Sequence, residues 1–214
     1  AVCGSIPIIR NLEEYFDNDL LKSVSWIVNG STNYILSNMF ETGEAYDTVL
    51  SEAQRLGFAE SNPDLDVSGM DAAYKLSIIL YHAYGRRVEP EKIVRKGIEN
   101  IHPFDLNYAK EKNARIKLVA NSYWTEEGEL VAHVVPQFVS NTSQLHHVSN
   151  EFNGVLIASG LADEQFLYGK GAGRFPTSSA VLSDLSALRY DYKYAYRKNK
   201  ERQTVELNDQ VNLK

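Results

Sequence analysis

Residues 57–85, GFAESNPDLDVSGMDAAYKLSIILYHAYG, decide how this chain folds. From Met70 to Tyr84 nearly every position is apolar or aromatic, so the stretch predicts a helix with almost no side to turn to water. Asp71 and Lys75 nonetheless sit inside it, one helical turn apart and therefore on one face. Just upstream, Glu60, Asp64 and Asp66 crowd a short loop that also holds Pro63. A helix built for burial needs layers on more than one side, and the rest of the chain has to supply them.

On the N-terminal side, AVCGSIPII reads as a strand-like stretch that becomes helical at Pro7, a residue suited to a first helical turn. LKSVSWIVNG is rich in branched and aromatic residues and predicts a strand ending near Asn29-Gly30. Ser31 or Thr32 would then cap a helix running to about Glu41, and a further helix over AYDTVLSEAQRLG would stop at Gly57. On the C-terminal side, Pro90 opens a short helix, PEKIVRKGIE. ARIKLVANSYW and GELVAHVVPQFV read as a hairpin joined by TEEG. GVLIASG and EQFLYGKGAG suggest two more strands, TSSAVLSDLSAL a helix, and TVELNDQVNLK at 204–214 a further strand-like run. Helices dominate the first half and strands the second. The expected fold class is therefore α+β, with one mixed or antiparallel sheet packed on one side by helices. No repeat, low-complexity stretch or linker interrupts residues 1–214, which are expected to form one domain.

Composition removes several classes of function. The net charge is −6 and the pI near 5.4, the opposite of the basic field a nucleic-acid partner requires. The basic cluster RKNKER at 197–202 lies in a polar segment and reads as solvated. One cysteine, Cys3, excludes an internal disulfide framework and suits a reducing compartment. No apolar run reaches the roughly 20 residues that span a bilayer, and no signal peptide is visible, so a cytoplasmic location with no membrane partner is expected. The chain does not open on Met, and both ends look cut; a piece of a longer protein is the expectation. His146 and His147 form a pair, but no third ligand type stands near them in sequence. Asn29-Gly30-Ser31 and Asn141-Thr142-Ser143 have the spacing of glycosylation acceptors, which a cytoplasmic chain does not use.

The charged residues of the opening stretch allow more than one chemistry. Asp71 and Lys75 can be an exposed ion pair or a pair facing a cleft, and the apolar helix around them suits the cleft. There a lysine can give or take a proton while the carboxylate orients it. The three acids upstream can cap the following helix, which suits Asp66, bind a cation, or hold the ammonium group of an amino acid.

GFAESNPDLDVSGMDAAYK, residues 57–75, resembles the signature of the homoserine dehydrogenases, with Gly57, Glu60, Pro63, Asp66, Gly69, Asp71 and Lys75 in register. AVCGSIPII, IVNGSTNYIL and GKGAGRFPTSSAVLSDL resemble three further motifs of that family, so the likeness extends through most of the chain. The resemblance implies NAD(P)-dependent interconversion of L-homoserine and L-aspartate 4-semialdehyde, a step of threonine and methionine biosynthesis. It implies that Lys75 moves the proton at the substrate oxygen, that Asp71 binds substrate or orients Lys75, and that Glu60, assisted by Asp66, holds the substrate ammonium. It implies that the glycine loop at 169–173 brings Gly171 and Gly173 toward the cofactor. It implies a homodimer through the strands at 114–138, and a Na⁺ or K⁺ bound by the carbonyls of Val2, Gly4 and Ile6. Three positions depart from the family pattern: Asn62 stands where Asp is usual, and Cys3 and Ser5 replace glycines. The family's G-x-G-x-x-G nucleotide unit is missing, so 1–214 is expected to be the substrate-binding, catalytic and dimerisation region, with little activity alone. A non-catalytic amino-acid-binding or regulatory module of the same architecture is the alternative, though such a module has no need of the lysine.

Overall fold

The computed structural model describes residues 2–16 and 20–193, so RKNKER and the strand-like run at 204–214 lie outside the described residues. The order of elements is α1 (Ile8–Arg10), continued as a π-helix over Asn11–Tyr15, then β1 (Leu21–Ile27), α2 (Gly30–Thr42), α3 (Tyr46–Arg55), α4 (Asp64–Val67) and α5 (Met70–Tyr84). There follow β2 (Val94–Arg95), α6 (Pro103–Glu111), β3 (Ala114–Trp124), β4 (Leu130–Ser140), β5 (Phe152–Ser159), β6 (Glu164–Lys170) and α7 (Arg174–Arg189).

The strands form one six-stranded sheet in the order β2-β4-β3-β1-β5-β6. All neighbours are antiparallel except β2 and β4, so the sheet is mixed and the fold is α+β as the pattern predicts. The hairpin β3–β4 pairs Ala114 with Ser140 through to Trp124 with Leu130 and is the longest ladder. Alternation along the strands separates two faces. Trp26, Ile116, Leu118, Ala120 and Val134 pack against Ile35, Leu36 and Met39 of α2 and against Ala73, Leu76, Ile79 and Leu80 of α5. On the opposite face a smaller cluster gathers Ile27, Val119 and Val139 under Leu145 and Val148.

Two sequence expectations fail for local reasons. No strand forms at the N-terminus, because Cys3 and Gly4 adopt left-handed backbone, with φ of 62° and 55°, and turn the chain. Pro90 opens only a 3-10 turn over Pro90–Lys92, after which the branched Ile93 leads into an extended edge where Val94 pairs with His133 and Arg95 with Val134.

Long-range contacts tie the ends of the described chain together. Ser5 donates its N–H and its hydroxyl to the Lys170 carbonyl, at 3.2 and 3.0 Å. Arg10 reaches Ser183 and the Asp184 carboxylate of α7 at 3.0–3.2 Å. No residue of α7 is buried, and Phe175, Leu182, Leu185 and Leu188 stand exposed. At the far end of α5, the buried Glu13 meets His82 Nδ1 at 2.7 Å, which clamps that helix to the N-terminal segment.

Lys117, 1 % exposed, fixes α2 on the sheet. Its Nζ lies 2.6 Å from the Val148 carbonyl, 2.9 Å from Asn33 Oδ1 and 3.3 Å from Ser37 Oγ. Burial, with Arg115 as a smaller cause, pulls its pKa down from 10.5 to about 7. All three partners are neutral oxygen acceptors, so no carboxylate among them stands against the cost of burying a charge there. Between about pH 7 and 10.5 the unfolded chain therefore binds more protons at this lysine than the folded one, and stability rises with pH across that window. Urea denaturation at a series of pH values should show a rise on the order of 1 kcal/mol per pH unit, which Lys117→Met abolishes.

Candidate active site

Two helix starts and one strand end build the site. β1 stops at Ile27, Val28 stays extended, and Asn29 caps α2 with φ −118° and ψ 111°. Its Oδ1 accepts from Thr32 N at 2.9 Å and from Thr32 Oγ1 at 3.0 Å. The cap is thus Asn29 rather than Ser31 or Thr32; asparagine is among the strongest N-cap residues, and Thr32 is the residue it caps. With Oδ1 committed to the helix, Nδ2 points the other way, donating to Asp66 Oδ1 at 2.6 Å and to Asp71 Oδ2 at 2.8 Å.

The two acids arrive from α4 and α5. Pro63 precedes the four-residue α4, and Gly69 then turns the chain with φ 79° before α5 begins. That left-handed turn lets Asp66 and Asp71 converge on one amide although they belong to different helices. Asp66 does not cap α5, whose start has no side-chain cap. One turn into α5, Lys75 donates to Asp71 Oδ2 at 2.6 Å and to the Val28 carbonyl at 3.0 Å. The side chains of Lys75 and Asp71 are 23 % and 29 % exposed, which makes a partly buried pair rather than one on open surface. An ammonium has three hydrogens, so one remains for a ligand on the open side. Asp66 and Asp71 thus meet at the N-terminal cap of α2, and Asp71 also lies in the first turn of α5.

The remaining acids stay apart from this network. Glu60 is exposed, its loop held where Gln54 Nε2 donates to the Glu60 carbonyl at 3.0 Å. Asp64 is also exposed, and its N–H is taken by Asn62 Oδ1 at 3.1 Å. Among the described residues no group of three or more His, Cys, Asp and Glu side chains could hold a metal ion. His146 meets the Val139 carbonyl at 3.0 Å instead.

The glycine loop after β6 packs between Asn153 and the N-terminal turn. A Cβ on Gly171 would lie 2.1 Å from Asn153 Nδ2, and one on Gly4 would lie 2.2 Å from the Gly171 carbonyl oxygen. Asn153 Nδ2 donates to the Val28 carbonyl at 3.4 Å, the same oxygen that Lys75 uses. Gly171 is thus required by contact, whereas Gly173 is required by its φ of 115°, a Cβ there meeting Pro176 only at an ordinary 3.6 Å. Val2, Gly4 and Ile6 line one groove together with Arg10 and Asp184. These residues do not make a dinucleotide site: the strand that leads into α2 does so through Asn29-Gly30, without a glycine-rich phosphate loop, and its sheet neighbours are antiparallel. Asn29 is the residue that sequence reasoning passed over. An asparagine directly before a helical run was the available signal.

Residues 7–186 match the family model described as homoserine dehydrogenase. The chain is 40 % identical over 186 residues to the homoserine dehydrogenase of Helicobacter pylori, covering 86 % of this chain and 44 % of that protein. The crystal structure of a homoserine dehydrogenase from Thiobacillus denitrificans superposes with a TM-score of 0.88 at 33 % identity, over 96 % of this chain and 50 % of that one. A hyperthermophilic archaeal homoserine dehydrogenase mutant, solved in complex with NADPH, gives a TM-score of 0.74 at 29 % identity, over 91 % of this chain and 55 % of that one. The chain therefore spans about half the length of these relatives or less.

The seat of the glycine loop is open to a direct check. Gly171→Ala forces its methyl into Asn153 and should destabilise the fold by about 1–3 kcal/mol, read as a lower thermal midpoint. Gly43→Ala is a control that meets no atom and carries only the strain of its φ of 76°.

Proposed function

The chain belongs to the homoserine dehydrogenase family, and from that premise we propose that it provides the substrate-binding and proton-transferring side of the interconversion of L-homoserine and L-aspartate 4-semialdehyde. The observation that carries this reading is the Lys75 ammonium, held between a carboxylate and a backbone carbonyl with a hydrogen to spare. During aldehyde reduction Lys75 gives that proton to the carbonyl oxygen as it becomes an alkoxide, and in the oxidation of homoserine it takes the hydroxyl proton. Asp71 fixes where the ammonium points. Glu60, whose carboxylate is exposed and therefore open to a ligand, and Asp66 accept from the substrate's own ammonium group.

The hydride carrier is NAD(P), bound outside the described residues, with Gly171 and Gly173 presented toward it. The exposed apolar side of α7 supports a further unit lying there. Val2, Gly4 and Ile6 offer carbonyls to a Na⁺ or K⁺. The sheet face opposite the helices, with Tyr123 still 37 % exposed, is the homodimer surface. The setting is cytoplasmic synthesis of threonine and methionine. Among the described residues no helix is long and apolar enough to cross a membrane.

Calorimetric titration of L-homoserine into the 214-residue chain tests the assignment. The wild type should bind, and Glu60→Gln should weaken binding about tenfold or more, because it removes a charge-assisted acceptor. No binding by the wild type counts against the substrate. Steady NAD(P)-dependent turnover of homoserine by these residues alone counts against the division of labour.

A further inference from the structure

We propose that Asn29 is a positioning residue of this site: its amide, locked by the helix cap it makes, holds the carboxylates of Asp66 and Asp71 side by side and sets the oxygen of Asp71 that Lys75 shares. The bearing on homoserine rests on the reading given under Proposed function; the bridge itself does not. Asn29 is 5 % exposed, and every polar atom of its side chain is engaged. The orientation of its amide follows from the helix. Turned over, Oδ1 would face two carboxylates and Nδ2 would face the Thr32 N–H. The cap therefore fixes the two donor hydrogens, and they in turn fix the two acids.

No other cap residue does both tasks. Serine or threonine accepts from the helix but has no second donor for the acids. Aspartate accepts from the helix but brings a third carboxylate to within hydrogen-bond distance of the other two. Asp71 Oδ2 takes both the Asn29 amide and the Lys75 ammonium, at 2.8 and 2.6 Å, so the carboxylate cannot rotate without breaking one of these contacts. Asn29 touches neither substrate nor reacting atoms on this arrangement. It acts through Asp66 and Asp71.

The test uses the 214-residue chain with Asn29→Ser, Asn29→Asp, Asp66→Asn and the double variant Asn29→Asp/Asp66→Asn. Nitrogen-15 NMR follows the Asn29 side-chain amide, thermal melting follows the fold, and calorimetry follows L-homoserine. In the wild type both amide hydrogens should shift as the pH is lowered until the carboxylates are protonated, and Asp66→Asn should remove the response of one hydrogen alone. Asn29→Ser retains a cap and should melt within a few degrees of wild type, yet bind homoserine about tenfold or more weakly. Asn29→Asp should bind more weakly still, with part of the loss recovered in the double variant, where an amide faces a carboxylate again. A role as cap alone predicts equal binding by the wild type, Asn29→Ser and Asn29→Asp wherever they fold, and by Asp66→Asn and the double variant relative to each other. Amide resonances that ignore the acid titration, or wild-type affinity in Asn29→Ser, overturn the proposal. Should the wild type not bind homoserine, the substrate assignment fails and the amide resonances alone decide whether the bridge exists.

Discussion

A cation on an apolar helix must be neutralised where it stands, and the region around Lys75 is arranged to do this. Most of α5 is buried, so its charged residues have one narrow side on which to find partners. Leaving an ammonium or a carboxylate there without a partner would cost several kcal/mol. Asp71 supplies the countercharge from the same helix and Val28 supplies a carbonyl from the end of β1. The left-handed Gly69 and the single turn of α4 are what bring Asp66 to the same place.

Two lysines show how far environment decides what one side chain does. Lys117 is buried among neutral acceptors, and its surroundings favour loss of the proton. Lys75 is partly open and pairs with a carboxylate at 2.6 Å, so one side of its head group stays available to a ligand. The first lashes α2 to the sheet, and through α2 it holds Asn29, the residue on which Asp66 and Asp71 converge. A structural lysine thus supports the chemical one from the far side of a helix.

Much of this was legible in the sequence because it rests on periodicity. The burial of α5, the β3–β4 hairpin and the helices closed by Gly43 and Gly57 follow from spacing and from residues that tolerate positive φ. The Asp71–Lys75 pairing follows from helical geometry alone. What escaped rests on contacts between distant segments. Asn29 as the meeting point of two acids requires knowing that α4 and α5 fold back on the start of α2. In sequence Gly171 is one glycine of the loop at 169–173, whereas in the fold it is a position where any Cβ would run into Asn153. β2 failed as a helix because a sheet edge was there to pair with, which outweighs the local signal of Pro90.

The stack of Gly4 on Gly171 on Asn153 also has a kinetic meaning. Ser5 and Lys170 are 165 residues apart in sequence, so their contact closes one of the longest loops in the chain and has no local structure to nucleate it. It cannot form until β5 and β6 have paired, which places docking of the N-terminal segment late in folding. Once docked, the segment is held by more than these hydrogen bonds, because Cys3, Ile6, Ile8, Leu12 and Phe16 are all buried in the main core. The segment that closes over Gly171 is thus assembled after the sheet, yet ends up as part of the same core, so late docking and firm holding coexist in it.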